Sequence, residues 1–222
     1  MQYQFSCVPA TYSAIEKALS PARLGRYLAA ASGDKHLAFR LYVWNGHICQ
    51  SLYFPLQTVE VAARNAIAIP VQRRFGDAWF ANPKFVNLLP QRMKGELGET
   101  IKGERKRRGK APSQDQIIAG LRFGFWQHLM GSSYDKHLWA NGVRQSFPNA
   151  APKADRAGIF LMLDEIRIFR NDVMHHYAIF DQRPQARFQT ALNLAALLCE
   201  ETQWLIAHLS QVSQVINDRP RV

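Results

Sequence analysis

The chain has 222 residues, is 47% hydrophobic and carries a formal net charge of +11. That length fits a single domain, the apolar fraction excludes global disorder, and the charge points to an acidic partner, nucleic acid before an anionic membrane surface. Cys7, Cys49 and Cys199 are odd in number and form no CxxC pair, which fits a reducing cytoplasm better than a disulfide framework and excludes the usual cysteine-rich zinc sites.

The predicted elements are helices throughout. The N-terminus lacks the basic start and long apolar run of a secretion signal. Ser20-Pro21 supplies a cap and a first-turn proline for a short helix toward Ala31, closed by Gly33. Asp34 caps a long segment in which Leu37, Leu41, Trp44, Ile48 and Leu52 recur at helical spacing. Leu41 to Val59 is uncharged, but Asn45, His47, Gln50, Ser51 and Gln57 are too many polar groups for a bilayer core, so no membrane partner is expected. Pro55 should kink or break this helix, and a second run places Leu56, Val59, Ala63 and Ile67 on one stripe. Gly76 and Trp79-Phe80 mark a turn back onto the core.

Residues 91–112 are polar, glycine-dotted and basic, with Lys102, Arg105, Lys106, Arg107, Arg108 and Lys110 opposed within the run only by Glu104. Ser113 caps a helix carrying Ile117, Leu121, Phe125 and Leu129, and a loop-rich stretch passes Pro148 and Pro152. A strongly periodic helix follows with Ile159, Leu163, Ile166 and Val173, and a last amphipathic helix runs from about Pro184 to Val215. No alternating stretch requires a sheet. The expected fold class is all-α, one domain over 1–222.

The chemistry gathers at Arg170-Asn171-Asp172-Val173-Met174-His175-His176, near the end of that periodic helix. Arginine grips phosphate with two prongs at any physiological pH, and histidine moves protons near neutrality. RNA carries its own nucleophile, so a protein needs only to activate the 2′-hydroxyl, stabilise charge on phosphorus and protonate the departing 5′-oxygen. His175 or His176 can act as base or acid, Arg170 can hold the charged transition state, and Asn171 can orient the histidine or the phosphate. The products would end in a 2′,3′-cyclic phosphate and a 5′-hydroxyl, and DNA would resist. At about 100° per residue Asn171 and His175 share a face while Arg170 lies well off it. Either the helix frays near the motif, or two copies supply complementary groups across a dimer interface. Against this stands the plain structural reading, in which two histidines terminate a helix at its negative pole.

Six segments in order carry a family likeness: residues 19–45, 52–67, 75–80, 121–130, 134–139 and FRNDVMHHYAIF at 169–180. Over roughly 18–210 the chain resembles the abortive-infection-like (Abi-like) proteins of bacteria, a branch of the HEPN superfamily. The resemblance implies a HEPN-type helical bundle with additional N-terminal helices, the motif lying near the end of a core helix. It further implies a homodimeric site around Arg170, Asn171, His175 and His176, metal-independent endoribonuclease activity without a cofactor, and a bacterial cytoplasmic role in phage defence or as a toxin. Some such systems add a small RNA or an antitoxin partner. Asp172 stands where relatives often carry a basic or neutral residue, and Tyr177-Ala178 where many show Glu-Pro. An extra acid beside the site would lower activity or alter substrate choice. The alternative function is an HEPN module that binds RNA or a partner without cutting it.

Glu60 and Arg64 stand at i,i+4, the spacing of an intrahelical ion pair worth about 0.3–0.5 kcal/mol when exposed. Because their block belongs to the resemblance, Glu60, Arg64 and Asn65 are also candidates for RNA contact or for orienting the motif. The basic run at 102–110 reads as a solvated face that steers RNA by sequence-blind phosphate contacts. Gly103-x5-Gly109-Lys110-Ala111 is one residue too long for a phosphate loop, lacks the following Ser or Thr and follows no strand. Trp126, Trp139 and Trp204 are expected in the core rather than under bases. His128 and His137 have no partner at metal-ligand spacing, and no metal site is expected.

Overall fold

The computed structural model describes residues 8–150 and 155–221, so Cys7 and Pro152 lie outside the described residues. Within them the chain forms eleven α-helices and no strand, as the periodicity required. The first helix of the described residues, α1 (Pro9–Leu19), has no side-chain cap, and α2 (Pro21–Ala30) follows with the Ser20 hydroxyl accepting the Arg23 amide. Asp34 then caps α3 (Lys35–Phe75), its carboxylate accepting the Leu37 amide.

α3 is the axis of the molecule, and of the kink or break expected at Pro55 it overturns the break. The helix continues through Pro55 and Pro70 for 41 residues. An interior proline costs about 3 kcal/mol, whereas each fully buried aliphatic side chain contributes about 1.5–3 kcal/mol. Ile48, Leu52, Leu56 and Val59 flank Pro55 and are completely buried. Only an uninterrupted helix keeps all four on one stripe, so the packing outweighs the proline. Gly76, in a left-handed conformation at φ 85°, then ends α3 and turns the chain into Trp79–Ala81. Trp79 is buried against Phe85 and Trp126.

α4 (Pro83–Val86) leads to α5 (Gln91–Arg108), so the basic segment is helical. Ser113 forms a reciprocal capping box with Gln116, opening α6 (Gln114–Gly120). The single helix expected from Ile117 to Leu129 is broken. Leu121 is extended, the Glu96 carboxylate of α5 accepts the Arg122 amide at 3.1 Å, and α7 (Phe123–His128) starts afresh. Short helical turns occupy 132–146, and α8 (Arg156–Met174) is capped by Asp155.

The last helix is also divided, into α9 (Pro184–Leu198), α10 (Glu200–Leu209) and α11 (Val212–Asn217). Cys199 and Ser210 are extended at the two joints. These bends let Leu198, Ile206 and Val212 all bury themselves while α9, α10 and α11 each pack on α3. Trp126 is fully buried and Trp139 packs on Phe147, but Trp204 departs from the core expectation. It is 57% exposed and stacks on His208 one turn later at 4.6 Å. No described helix is long and apolar enough to cross a membrane.

Candidate active site

α8 ends inside the motif, and the backbone explains how. The Tyr177 amide bonds to the Asp172 carbonyl at 2.9 Å and the His176 amide to the Val173 carbonyl at 3.2 Å. This is the Schellman arrangement, which needs a left-handed residue just past the cap, usually glycine. His176 occupies that place at φ 60°. Its role in the fold is therefore a backbone one: it reverses the chain after His175. The Arg23 guanidinium of α2 donates to the His176 carbonyl.

The segment after the motif is strapped down by a residue that the sequence reading passed over. Asn45 of α3 is buried, and its Oδ1 accepts the amides of Ile179 at 2.8 Å and Phe180 at 3.1 Å. Its Nδ2 donates to the Tyr177 carbonyl at 3.4 Å and lies 3.8 Å from Cys49 Sγ. One side chain thus satisfies three backbone groups of a segment that has no helix or strand of its own. Arg26 adds a two-pronged grip on Asp181 at 2.9 and 2.8 Å. Burial around this strap pushes the Cys49 thiol up to about 11. Tyr27, stacked on Phe180 at 5.2 Å, is also raised, chiefly by burial.

Beside the end of α8 lies a cavity of about 870 Å3, walled by α5, α6, α7, α8 and one residue of α3. Arg170, Asn171 and His175 all line it. Despite their angular offset on the helix, Arg170 and His175 therefore border the same cavity within one chain. His176 does not line it. Four arginines face this space, Arg92, Arg122, Arg167 and Arg170, against two carboxylates, Glu60 and Glu96. His128, the last residue of α7, is exposed and lines the same cavity, its ring 6.0 Å from that of Tyr134.

The arginines are held differently. Arg167 takes Asp164 of its own helix at 3.0 and 2.7 Å. Arg170 Nε lies 3.0 Å from Glu60 Oε2, and its Nη1 donates to Asn171 Oδ1 at 3.3 Å. The Arg170 Nε–H is buried without an aligned hydrogen bond, so the Glu60 contact is a charge pairing with the donor direction unspent. Glu60 spends its carboxylate across the helix interface on Arg170, in place of the expected pair with Arg64 along α3. Arg64 Nε is buried and makes no hydrogen bond, and Asn65 is exposed; neither lines the cavity.

None of the six basic residues at 102–110 reaches this cavity. Lys102 pairs with Glu99 at 2.9 Å, while Arg107 and Arg108 converge on the buried Glu104 at 3.2 and 3.1 Å. Arg105, Lys106 and Lys110 are exposed. The cavity residues that sequence reasoning missed are Arg92, Arg122 and Arg167, while His128 was weighed only as a metal ligand and Asn45, outside the cavity, only as a polar group against a membrane span. One signal was present: Arg167 precedes Arg170 by three residues and therefore shares its side of α8. Arg92 and Arg122 come from other helices and carried none. Among the described residues, no group of three or more His, Cys, Asp and Glu side chains is placed to hold a metal ion. Compared with protein-family models, with curated proteins and with solved structures, the chain returns no match.

Proposed function

We propose that the chain is a metal-independent endoribonuclease of the Abi-like HEPN type, acting as a toxin or abortive-infection effector in bacteria. One observation carries the reading: a phosphate binder, Arg170, an amide, Asn171, and a proton carrier, His175, line one arginine-rich cavity. In it the scissile phosphate sits between Arg170 and Arg167 or Arg122. The base removes the 2′-hydroxyl proton, the 2′-oxygen bonds to phosphorus, and the bond to the 5′-oxygen breaks as that oxygen takes a proton. His175 supplies one of the two transfers, and His128 is the other imidazole in reach of the same space. Arg170 neutralises the charge gathering on the phosphoryl oxygens. Glu60 holds the Arg170 side chain in place and yields its position when phosphate arrives.

A homodimer suits the outer face of α8. Leu161 and Ile168 are 65% and 48% exposed, and with His175 they repeat every seven residues, an apolar stripe leading to the motif. A second reading is supported by Glu60 itself: with a carboxylate on Arg170, the cavity can grip RNA or a partner without cutting it. Incubation with mixed cellular RNA in EDTA, beside an Arg170→Ala/His175→Ala double variant, separates the two. Cleavage by the unaltered protein alone, leaving cyclic-phosphate ends, supports the enzyme. Binding without cleavage in both supports the module.

A further inference from the structure

α5 turns one face to a hollow along its whole length. Arg92, Met93 and Glu96 line the cavity beside the motif, and farther along Gly103, Glu104, Arg107 and Arg108 line a second groove of about 600 Å3. Steps of one, three and four residues keep these on one side of the helix, with Thr100 between them. The facing wall is equally continuous. Ala119 and Gly120 of α6 border both hollows, with Asp115 and Gln116 on one side of them and Arg122 on the other. The two hollows are neighbouring stretches of one seam between α5 and the α6–α7 segment.

We propose that this seam seats a single strand of RNA, running from the cavity at Arg170 to the basic last turn of α5. The proposal rests on the RNA reading of that cavity and adds to it the path and length of the substrate. The walls suit a strand. Gly103 and Gly120 have no side chain and Ala119 is exposed and small, so a base plane meets an open surface where the hollows join. α5 and α6 touch between the hollows, where a β-carbon at Gly120 would lie 2.8 Å from Thr100 Cγ2, so the strand passes over this contact along the exposed surface and not between the helices.

Cations mark both ends. Arg92 and Arg122 stand at the cavity, and Arg107 and Arg108 at the far groove. Glu104 is 7% exposed and pairs with both far guanidinium groups, Arg108 through an aligned hydrogen bond, which draws two planar donors toward the groove edge. Arg105, Lys106 and Lys110 surround them and add attraction without sequence preference. From Arg92 to Arg108 the helix covers about 24 Å, the reach of about seven stacked nucleotides at ~3.4 Å each.

Uncleavable 2′-O-methyl oligoribonucleotides of about four and about twelve nucleotides, titrated by fluorescence anisotropy, test the path. The longer strand is expected to bind at least about tenfold more tightly, and Ala119→Glu, an exposed change that leaves the Glu104 clamp intact, should erase most of that ratio. Equal affinity for the two lengths, or a ratio that Ala119→Glu leaves untouched, overturns the proposal. Unmodified strands of the same lengths complete the test. Length-dependent binding without cleavage retires the ribonuclease reading and leaves the seam standing; cleavage with the same KM for both lengths does the reverse.

Discussion

Two ends of two helices carry most of the positive charge discussed above, and they use it in opposite ways. At the end of α8, Arg170 and Arg167 are half-buried, each tied to a carboxylate, and both line the cavity. At the end of α5, Arg105, Lys106 and Lys110 are exposed. A cation fixed in a partly desolvated cavity acts at one point, and salt screens it weakly; an exposed one acts at a distance and is screened within about 10 Å at 0.1 M salt. The first arrangement suits chemistry on a phosphate, and the second suits attraction of a polyanion. Composition counts the two alike, and burial separates them.

The sharpest way to break this contrast is at α8. Arg170→Ala or His175→Ala is expected to lower RNA cleavage about 10³-fold or more while leaving bulk RNA binding within a few-fold, read by gel assay and anisotropy. Arg170→Lys should fail to restore more than a small part of the rate, because an ammonium cannot offer two parallel donors. Full activity in either alanine variant would remove the residue it replaces from the chemistry.

Asn45→Ala comes next. It leaves two buried amides and a carbonyl without partners and is expected to cost about 2–3 kcal/mol in denaturant unfolding, with loss of activity even though no cavity residue is changed. A stability change under about 0.5 kcal/mol would mean that the strap is replaced by water.

Smaller again is the effect of pH through Cys49, in the same strap. Its thiol is held protonated up to about 11 in the fold, above the usual 9.0. The unfolded chain therefore releases its proton first, and stability is full below the ordinary thiol value and falls as pH climbs through that window. Cys49→Ala should flatten the fall, which amounts to under about 2 kcal/mol once screening is allowed for. Melting curves across alkaline pH read it directly.

His176→Gly should raise stability or leave it level, by at most about 1 kcal/mol, since glycine suits φ 60° better than histidine. Cleavage should persist in this variant, in contrast with His175→Ala; loss of cleavage would return His176 to the chemistry. Least of all, Arg105→Ala/Lys106→Ala should shift the melting temperature negligibly. The pair should weaken RNA binding a few-fold and reduce the slope of log affinity against log salt by about 1.4 if both contact phosphate on a single strand.

Local patterns in the sequence determined much of this protein. Ser20, Asp34, Ser113 and the stripe through Ile159, Leu163 and Ile166 placed helix starts and core faces, because capping and periodicity are short-range and cost little to read. The motif's position at the end of a helix was equally legible. What only the tertiary structure decided depends on contacts between residues far apart in the chain. Pro55 stays inside α3 because buried neighbours outweigh its penalty. The helices expected over 117–129 and 184–215 break because Leu121, Leu198, Ile206 and Val212 reach the core only around a bend. Glu60 turns from Arg64 to Arg170 because α8 offers a partner across the interface. His175 and His176, adjacent and identical in the sequence, part company at the α8 terminus. One lines the cavity and the other takes a left-handed turn, because a chain leaving a helix must satisfy its last carbonyls before anything else.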